Sequence, residues 1–226
     1  MELREHVVIV TGASRGLGRA IALGLGQAGA AVTLAARDAQ ALNEVATAIE
    51  QQGGQTLVVR CDVRDPEAVR ALAQRTLDEW GHIDSLINSA GIALRQAAVE
   101  LPLRAWHEVL DTLLTGTLLA TQAVLPSMIA AGNIVNLLAA LDKICVPGFS
   151  AYTTAKWGVA GLTQTLAKEL RRYGINVNGL HPGGFADTGT ALRTMPAALH
   201  LASLPPRSTT GTTVDARRWF SAQTDA

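Results

Sequence analysis

Tyr152 and Lys156 lie four residues apart in the segment SAYTTAK, residues 150–156. On a helix that spacing puts both side chains on one face. A free phenol ionises near pH ~10, and a neighbouring ammonium favours the phenolate, so such a pair can pass a proton closer to neutrality. A second hydroxyl would help to hold the reacting oxygen. The eleven residues before Ser150, AALDKICVPGF, contain neither serine nor threonine. Two readings follow: a working acid–base site, or what is left of one.

A second pattern lies near the amino terminus. The stretch TGASRGLG, Thr11 to Gly18, follows an apolar run and precedes a helical one. Glycines there let the turn close and let a pyrophosphate approach backbone N–H groups at a helix start. At the end of the next apolar run the chain reads Ala35-Ala36-Arg37, with no acid until Asp38. An acid at that place would suit a free ribose hydroxyl, whereas an arginine suits a ribose phosphate through charge-assisted bonding. Arg15, inside the glycine loop, can close on the same phosphate, which favours NADP over NAD. Asp62 offers a carboxylate near the adenine position, and Asn88-Ser89-Ala90-Gly91 makes a small-residue loop for a cofactor to rest against.

These residues need a scaffold, and the patterning supplies one. Apolar runs at 6–12, 30–37, 55–63, 83–91, 133–139 and 174–183 alternate with helical stretches at 15–29, 38–54, 65–81, 104–130 and 150–172. Pro66 near the start of one helix and the glycines after another mark their ends. Further on, PAALHLASL predicts a short helix and TGTTVDA a last strand. Buried strands alternating with helices predict an α/β fold: a single doubly wound Rossmann-type parallel sheet of about seven strands with helices on both faces. Ligands in such sheets sit beyond the carboxyl ends of the strands. The helix at 104–130 is expected to bend at Gly116.

Bulk composition narrows the partners. The 226 residues form one expected domain spanning 1–226, and 48% hydrophobic with 17% charged residues permits a substantial core. Nineteen basic residues cancel nineteen acidic ones, which gives no support to a nucleic-acid partner. Two cysteines, Cys61 and Cys145, have no paired spacing, so neither a disulfide framework nor a metal site is expected, and a reducing cytoplasm is the natural home. Residues 112–141 carry no charge, but Gly116, Pro126, Gly132, Asn133 and Asn136 interrupt them. They read as a buried helix and strand rather than a membrane span.

TGASRGLG, Asp62, NSAG, Tyr152-x-x-x-Lys156 and then HPGG at 181–184 occur in that order. From about residue 5 to 188 the chain resembles the short-chain dehydrogenase/reductase family, whose members move hydride between a nicotinamide cofactor and an alcohol or carbonyl. The resemblance implies NADP(H) contacts at Gly12, Ser14, Arg15, Gly16, Leu17, Gly18, Arg37, Asp62, Val63, Asn88, Ala90, Gly91, Tyr152, Lys156, Pro182 and Gly183. Tyr152 and Lys156 are the implied catalytic residues, and a small carbonyl or alcohol the implied substrate. A homodimer or homotetramer joined through the helices at 104–130 and 150–172 is implied as well.

Three departures stand against full activity. The family's serine, thirteen residues before the tyrosine, has Ala139 at its place. The family's asparagine in the long helix is matched by Leu113, and no Asn occurs between Asn88 and Asn133. The substrate-covering segment is shortened after about 188. Ser150, Thr153 and Ser89 are conceivable replacement donors. The reading taken is therefore an NADP(H)-dependent oxidoreductase weakened by loss of the Ser and Asn. Its alternative is a catalytically inactive NADP-binding protein, a sensor or partner subunit. His181 is expected to cap or pack.

Overall fold

Short runs rich in Val, Ile, Leu and Ala form the strands, and because both faces are covered most are buried along their whole length. The structure is a computed structural model and describes residues 3–128, 131–139, 145–184 and 188–224. The strands are β1 (Val7–Thr11), β2 (Ala31–Ala36), β3 (Gln55–Arg60), β4 (Ser85–Asn88), β5 (Gly132–Leu137), β6 (Ile175–His181) and β7 (Thr213–Asp215). They pair in the order β3-β2-β1-β4-β5-β6-β7, every pair parallel. The order reverses between β1 and β4, and that is where a doubly wound sheet opens a crevice.

The helices are α1 (Gly16–Gln27), α2 (Ala39–Glu50), α3 (Pro66–Trp80), α4 (Leu103–Leu110), α5 (Gly116–Val124), α6 (Ser150–Leu170), α7 (Thr188–Ala202) and α8 (Ala216–Thr224). Alternate residues of a strand point to opposite faces. Val8 and Val10 of β1 accordingly join a core with Ile21 and Leu25 of α1, Leu42 and Val45 of α2, and Ala197 and Leu201 of α7. Ile9, between them, joins the opposite core with Leu72 of α3, Val124 of α5 and Leu166 of α6. Local signals set the helix ends. Asp38 caps α2 by accepting from the Ala41 N–H at 3.1 Å, and Asp65 caps α3 by accepting from the Glu67 N–H at 2.9 Å. Gly81, at φ +81°, ends α3 in the left-handed conformation.

Three elements differ from expectation. The helix predicted from Pro196 begins at Thr188 and runs through the proline. Packing outweighs propensity here. Met195 lies on α1 where a Cβ at Gly24 would be 2.4 Å from its Cγ, so the two helices meet at a glycine. Helix α8, beyond the last strand, was not foreseen. The long helix is also not simply bent at Gly116. α4 passes into one π-helical turn, Asp111–Thr115, before α5 begins. A Cβ at Gly116 would stand 2.7 Å from Val63 Cγ2, so the wider turn falls where the helix presses on the exit of β3. The helical stretch Leu103–Ser127 is long and apolar enough to cross a membrane, with 39% of its most apolar window buried. It packs against α3 and α6.

The sheet also buries amides under the cleft floor. Asn88 donates to Asn136 Oδ1 at 2.9 Å, and Asn136 donates to Thr163 Oγ1 at 2.9 Å. This ties β4, β5 and α6 together. Asn136→Leu would leave the Asn88 amide with only a 3.5 Å approach to Thr121. A loss of about 1–3 kcal/mol is expected in urea unfolding, and an unchanged midpoint would show the chain of amides to be dispensable.

Candidate active site

A cleft of about 1060 Å³ runs along the carboxyl ends of the strands. Its foundation is the turn after β1. Gly12 has φ +70°, and a Cβ there would lie 2.7 Å from the Ala90 Cα. A Cβ on Gly18 would lie 2.3 Å from the Gly12 carbonyl oxygen. No side chain fits at either place. Thr11 Oγ1 accepts from the N–H groups of Ser89 and Ala90 at 3.1 and 3.2 Å, fastening the loop after β4 to the end of β1. Arg15, extended just before α1, makes no side-chain cap, so the first N–H groups of α1 stay open to the cleft.

Of the sequence-predicted residues, the structure brings Gly12, Ser14, Arg15, Gly16, Leu17, Gly18, Arg37, Asp62, Val63, Ala90, Gly91, Tyr152, Lys156, Pro182 and Gly183 to this one cleft. Asn88 is not among the lining residues. Its side chain is spent beneath the floor, so any contact there would come from backbone. Arg15 and Arg37 border the end nearest β2, with Asp38 and Asp62. Asp38 has one oxygen committed to the cap of α2. Asp62 accepts on both oxygens from Arg64, at 3.0 and 2.6 Å, and this bond chiefly holds its carboxyl below the usual range. A carboxylate so clamped is a fixed acceptor.

The opposite end holds Tyr152 and Lys156 on α6. Here the sequence-based expectation of an acidified phenol is corrected for the ligand-free protein. Burial raises the Tyr152 pKa, and burial pushes Lys156 down to about 8. The Lys156 ammonium sits 5.9 Å from the centroid of the Tyr152 ring and donates to the Leu137 carbonyl at the end of β5. The wall that faces the pair is apolar. Leu113, 2% exposed, and Ala139, 8% exposed, both line the cleft, so the polar groups missing from the sequence are missing from the wall.

None of the three suggested substitutes stands in the right place. Ser150 and Thr153 do not line the cleft, and the Ser150 hydroxyl is buried without a partner. Ser89 lines it, but its Oγ is 3.0 Å from where a Gly18 Cβ would be, under the glycine turn. His181 does serve as a cap: its Nδ1 accepts from the Gly183 N–H at 2.7 Å and shapes the turn after β6.

Sequence reasoning missed several lining residues, among them Thr112, Ile92, Phe149 and Arg217. The Thr112 hydroxyl donates to the Glu108 carbonyl at 2.7 Å, which spends its proton within the helix. Arg217 had a readable signal. It follows β7 by two residues, and the ends of parallel strands are where such sheets hold ligands.

Comparison with known proteins agrees with this geometry. A profile described as short chain dehydrogenase matches residues 6–196. A 3-oxoacyl-(acyl-carrier-protein) reductase of Synechocystis sp. is 38% identical over 187 residues, covering 81% of this chain and 76% of the relative. A cis-4-hydroxycyclohexanecarboxylate dehydrogenase of Sinomonas cyclohexanicum is 41% identical over 187 residues, covering 81% and 74%. Among solved structures, a metagenomic short-chain oxidoreductase in complex with NADP superposes with a TM-score of 0.86 at 33% identity, covering 94% of this chain and 96% of that one. A short-chain alcohol dehydrogenase of Sinorhizobium meliloti 1021 superposes at 0.88 with 28% identity, over 98% of both chains. The chain belongs to the short-chain dehydrogenase family of oxidoreductases.

Proposed function

We propose that this chain is an NADP(H)-dependent oxidoreductase of a carbonyl or alcohol substrate, with turnover held down by Ala139 and Leu113. One observation carries the reading: a single cleft has Arg15 and Arg37 at one end and Tyr152 with Lys156 at the other. The residues present fit a dinucleotide. The close-packed glycine turn leaves helix N–H groups for a diphosphate, two guanidiniums stand ready for a ribose phosphate, and the clamped Asp62 can accept from an adenine amine. Bound there, a reduced nicotinamide would supply hydride to the carbonyl carbon. Tyr152 would give its phenolic proton to the carbonyl oxygen. Lys156 spends one N–H on Leu137 and keeps two, enough for one ribose hydroxyl and for the phenolate left on Tyr152. A complex of the structural neighbour with NADP, and the absence of an acid before Asp38, support the phosphorylated cofactor.

The apolar wall sets the rate. Losing one preorganised donor to the reacting oxygen costs about 10²–10³ in rate, or roughly 3–4 kcal/mol, and a broken relay overlaps with that loss rather than adding to it. A second reading, an NADP-binding subunit without catalysis, draws on the same wall and on the raised phenol. We further propose assembly as a homodimer or homotetramer through α5 and α6, where Trp157 is 52% exposed. Two cysteines without paired spacing, Cys61 and Cys145, support a reducing, cytoplasmic setting.

NADPH is expected to bind at least tenfold tighter than NADH in fluorescence titrations, with Arg37→Ala removing most of that preference. Equal binding of both cofactors would remove the argument from the arginines. Against a panel of aldehydes, ketones and quinones, the parent should turn over slowly and Tyr152→Phe should abolish turnover. Ala139→Ser with Leu113→Asn should speed it by at least tenfold. A parent that binds NADPH and reduces nothing, but wakes in the double variant, establishes the non-catalytic reading instead. The acid–base claim has its own measurement. The chain has two tyrosines, so subtracting Tyr152→Phe from the parent isolates one phenol in an ultraviolet pH titration. Burial disfavours the phenolate, so in the free protein the Tyr152 signal should titrate above an ordinary phenol at ~10. It should move down when NADP⁺ is added; a free-protein titration below the ordinary value contradicts the structure.

A further inference from the structure

The charges around the cleft are unevenly placed. Its acidic lining residues, Asp38 and Asp62, both stand at the end near β2 and β3, beside Arg15 and Arg37. At the other end the described lining residues include two cations, Lys156 and Arg217, and no acid. Lys156 is buried and engaged with Leu137. Arg217 is not so engaged. Among the described residues its ion-pair partner is Asp215, at 3.6 Å, and the Arg217 side chain is 42% exposed. A guanidinium carries five N–H donors in a planar fork, so one long contact leaves most of them unspent.

The backbone sets where this side chain stands. Asp215 Oδ1 accepts from the Arg217 N–H at 3.0 Å, closing the turn from β7 into α8. The aliphatic stem then lies across Gly183, which has φ +86° and where a Cβ would come within 2.5 Å of Arg217 Cγ. The guanidinium is therefore held at the exit of β6. β5, which leads to Ala139, and β7 are two strand spacings apart, about 10 Å. β1, whose turn would receive the diphosphate, is four spacings from β7, about 19 Å, and β2 is five, about 24 Å. Arg217 is thus beyond the place for the cofactor's phosphates and close to the reacting end. The same cleft is lined by the apolar Leu113, Leu138, Val146 and Phe149.

We propose that Arg217 selects an anionic substrate, a compact oxo acid or hydroxy acid. Its carboxylate or phosphate pairs with the guanidinium while the carbonyl or hydroxyl carbon lies at Tyr152. This rests on the oxidoreductase reading of the cleft and adds the substrate's chemistry to it. The apolar wall takes the carbon skeleton, and the two charges meet where a bidentate pair can form.

The test uses 4-oxopentanoate, 6-oxoheptanoate, their methyl esters and dihydroxyacetone phosphate. The oxo acids and their esters are titrated calorimetrically into free and NADP⁺-loaded protein. With NADP⁺ they meet an oxidised cofactor and do not turn over, and dihydroxyacetone phosphate, which has a hydroxyl, is titrated into the free protein alone. At least one anion should bind tenfold or more tighter than the uncharged esters, and whether carboxylate or phosphate leads identifies the head group. Arg217→Gln should abolish the preference, Arg217→Lys should keep part of it, and NADP⁺ affinity should stay within twofold in both. The proposal is overturned if no anion outbinds the esters, if Arg217→Gln weakens acid and ester alike, or if it weakens NADP⁺ instead. A selected acid that NADPH fails to reduce would end the oxidoreductase reading and leave the anion site standing. Reduction of neutral ketones without any preference for acids would do the reverse.

Discussion

Two stretches of backbone approach each other at the centre of this protein more closely than side chains allow. The turn leaving β1 and the loop leaving β4 meet at Gly12 and Ala90, with Gly18 folded over Gly12. Thr11 binds both neighbouring N–H groups of the β4 loop. This contact sits where the strand order changes direction, and it sets the floor of the cleft. Once it is made, α1 must start with its N–H groups facing inward, and the ends of β2 and β3 must flank them with Arg37 and Asp62. The glycines are therefore required first by packing. Their suitability for a phosphate follows from the same absence of Cβ atoms.

The far side of the cleft obeys a different constraint, polarity. Asn88, Asn136 and Thr163 show that the fold readily buries polar groups when each finds a partner. Beside Tyr152 the described lining includes the apolar Leu113 and Ala139. Burial there raises the Tyr152 pKa and lowers that of Lys156, the directions expected of groups withdrawn from water.

Much of this was legible in the chain itself. Period and glycine placement located the first six strands within a few residues, because a doubly covered sheet writes its strands as continuous apolar runs, and TGTTVDA held the seventh. The glycine turn, Arg37, Tyr152 and Lys156 were readable because each depends on local spacing and strand ends. What escaped depends on contacts between distant segments. The π-helical turn before Gly116 answers to Val63, fifty-three residues earlier. Helix α7 tolerates Pro196 because Met195 meets Gly24. The motif NSAG does not show that the Asn88 side chain pairs with Asn136 of β5 beneath the floor. The direction of the Tyr152 shift also lay out of reach, since a spacing of four places the ammonium on the right face but does not say which acceptor it chooses.

That choice links structure to chemistry. In the free protein the Lys156 ammonium donates to the Leu137 carbonyl and lies 5.9 Å from the ring centroid of Tyr152, so it does little for the phenolic oxygen. Its pKa near 8 keeps most of its charge at neutral pH, yet that charge is spent on the backbone. An incoming pair of ribose hydroxyls would compete for its remaining donors, and a cationic nicotinamide ring would add positive charge beside the phenol. Of these, the added positive charge favours the phenolate. Leu113 and Ala139 carry no charge, so the wall they build offers nothing to offset the rise that burial gives the Tyr152 phenol.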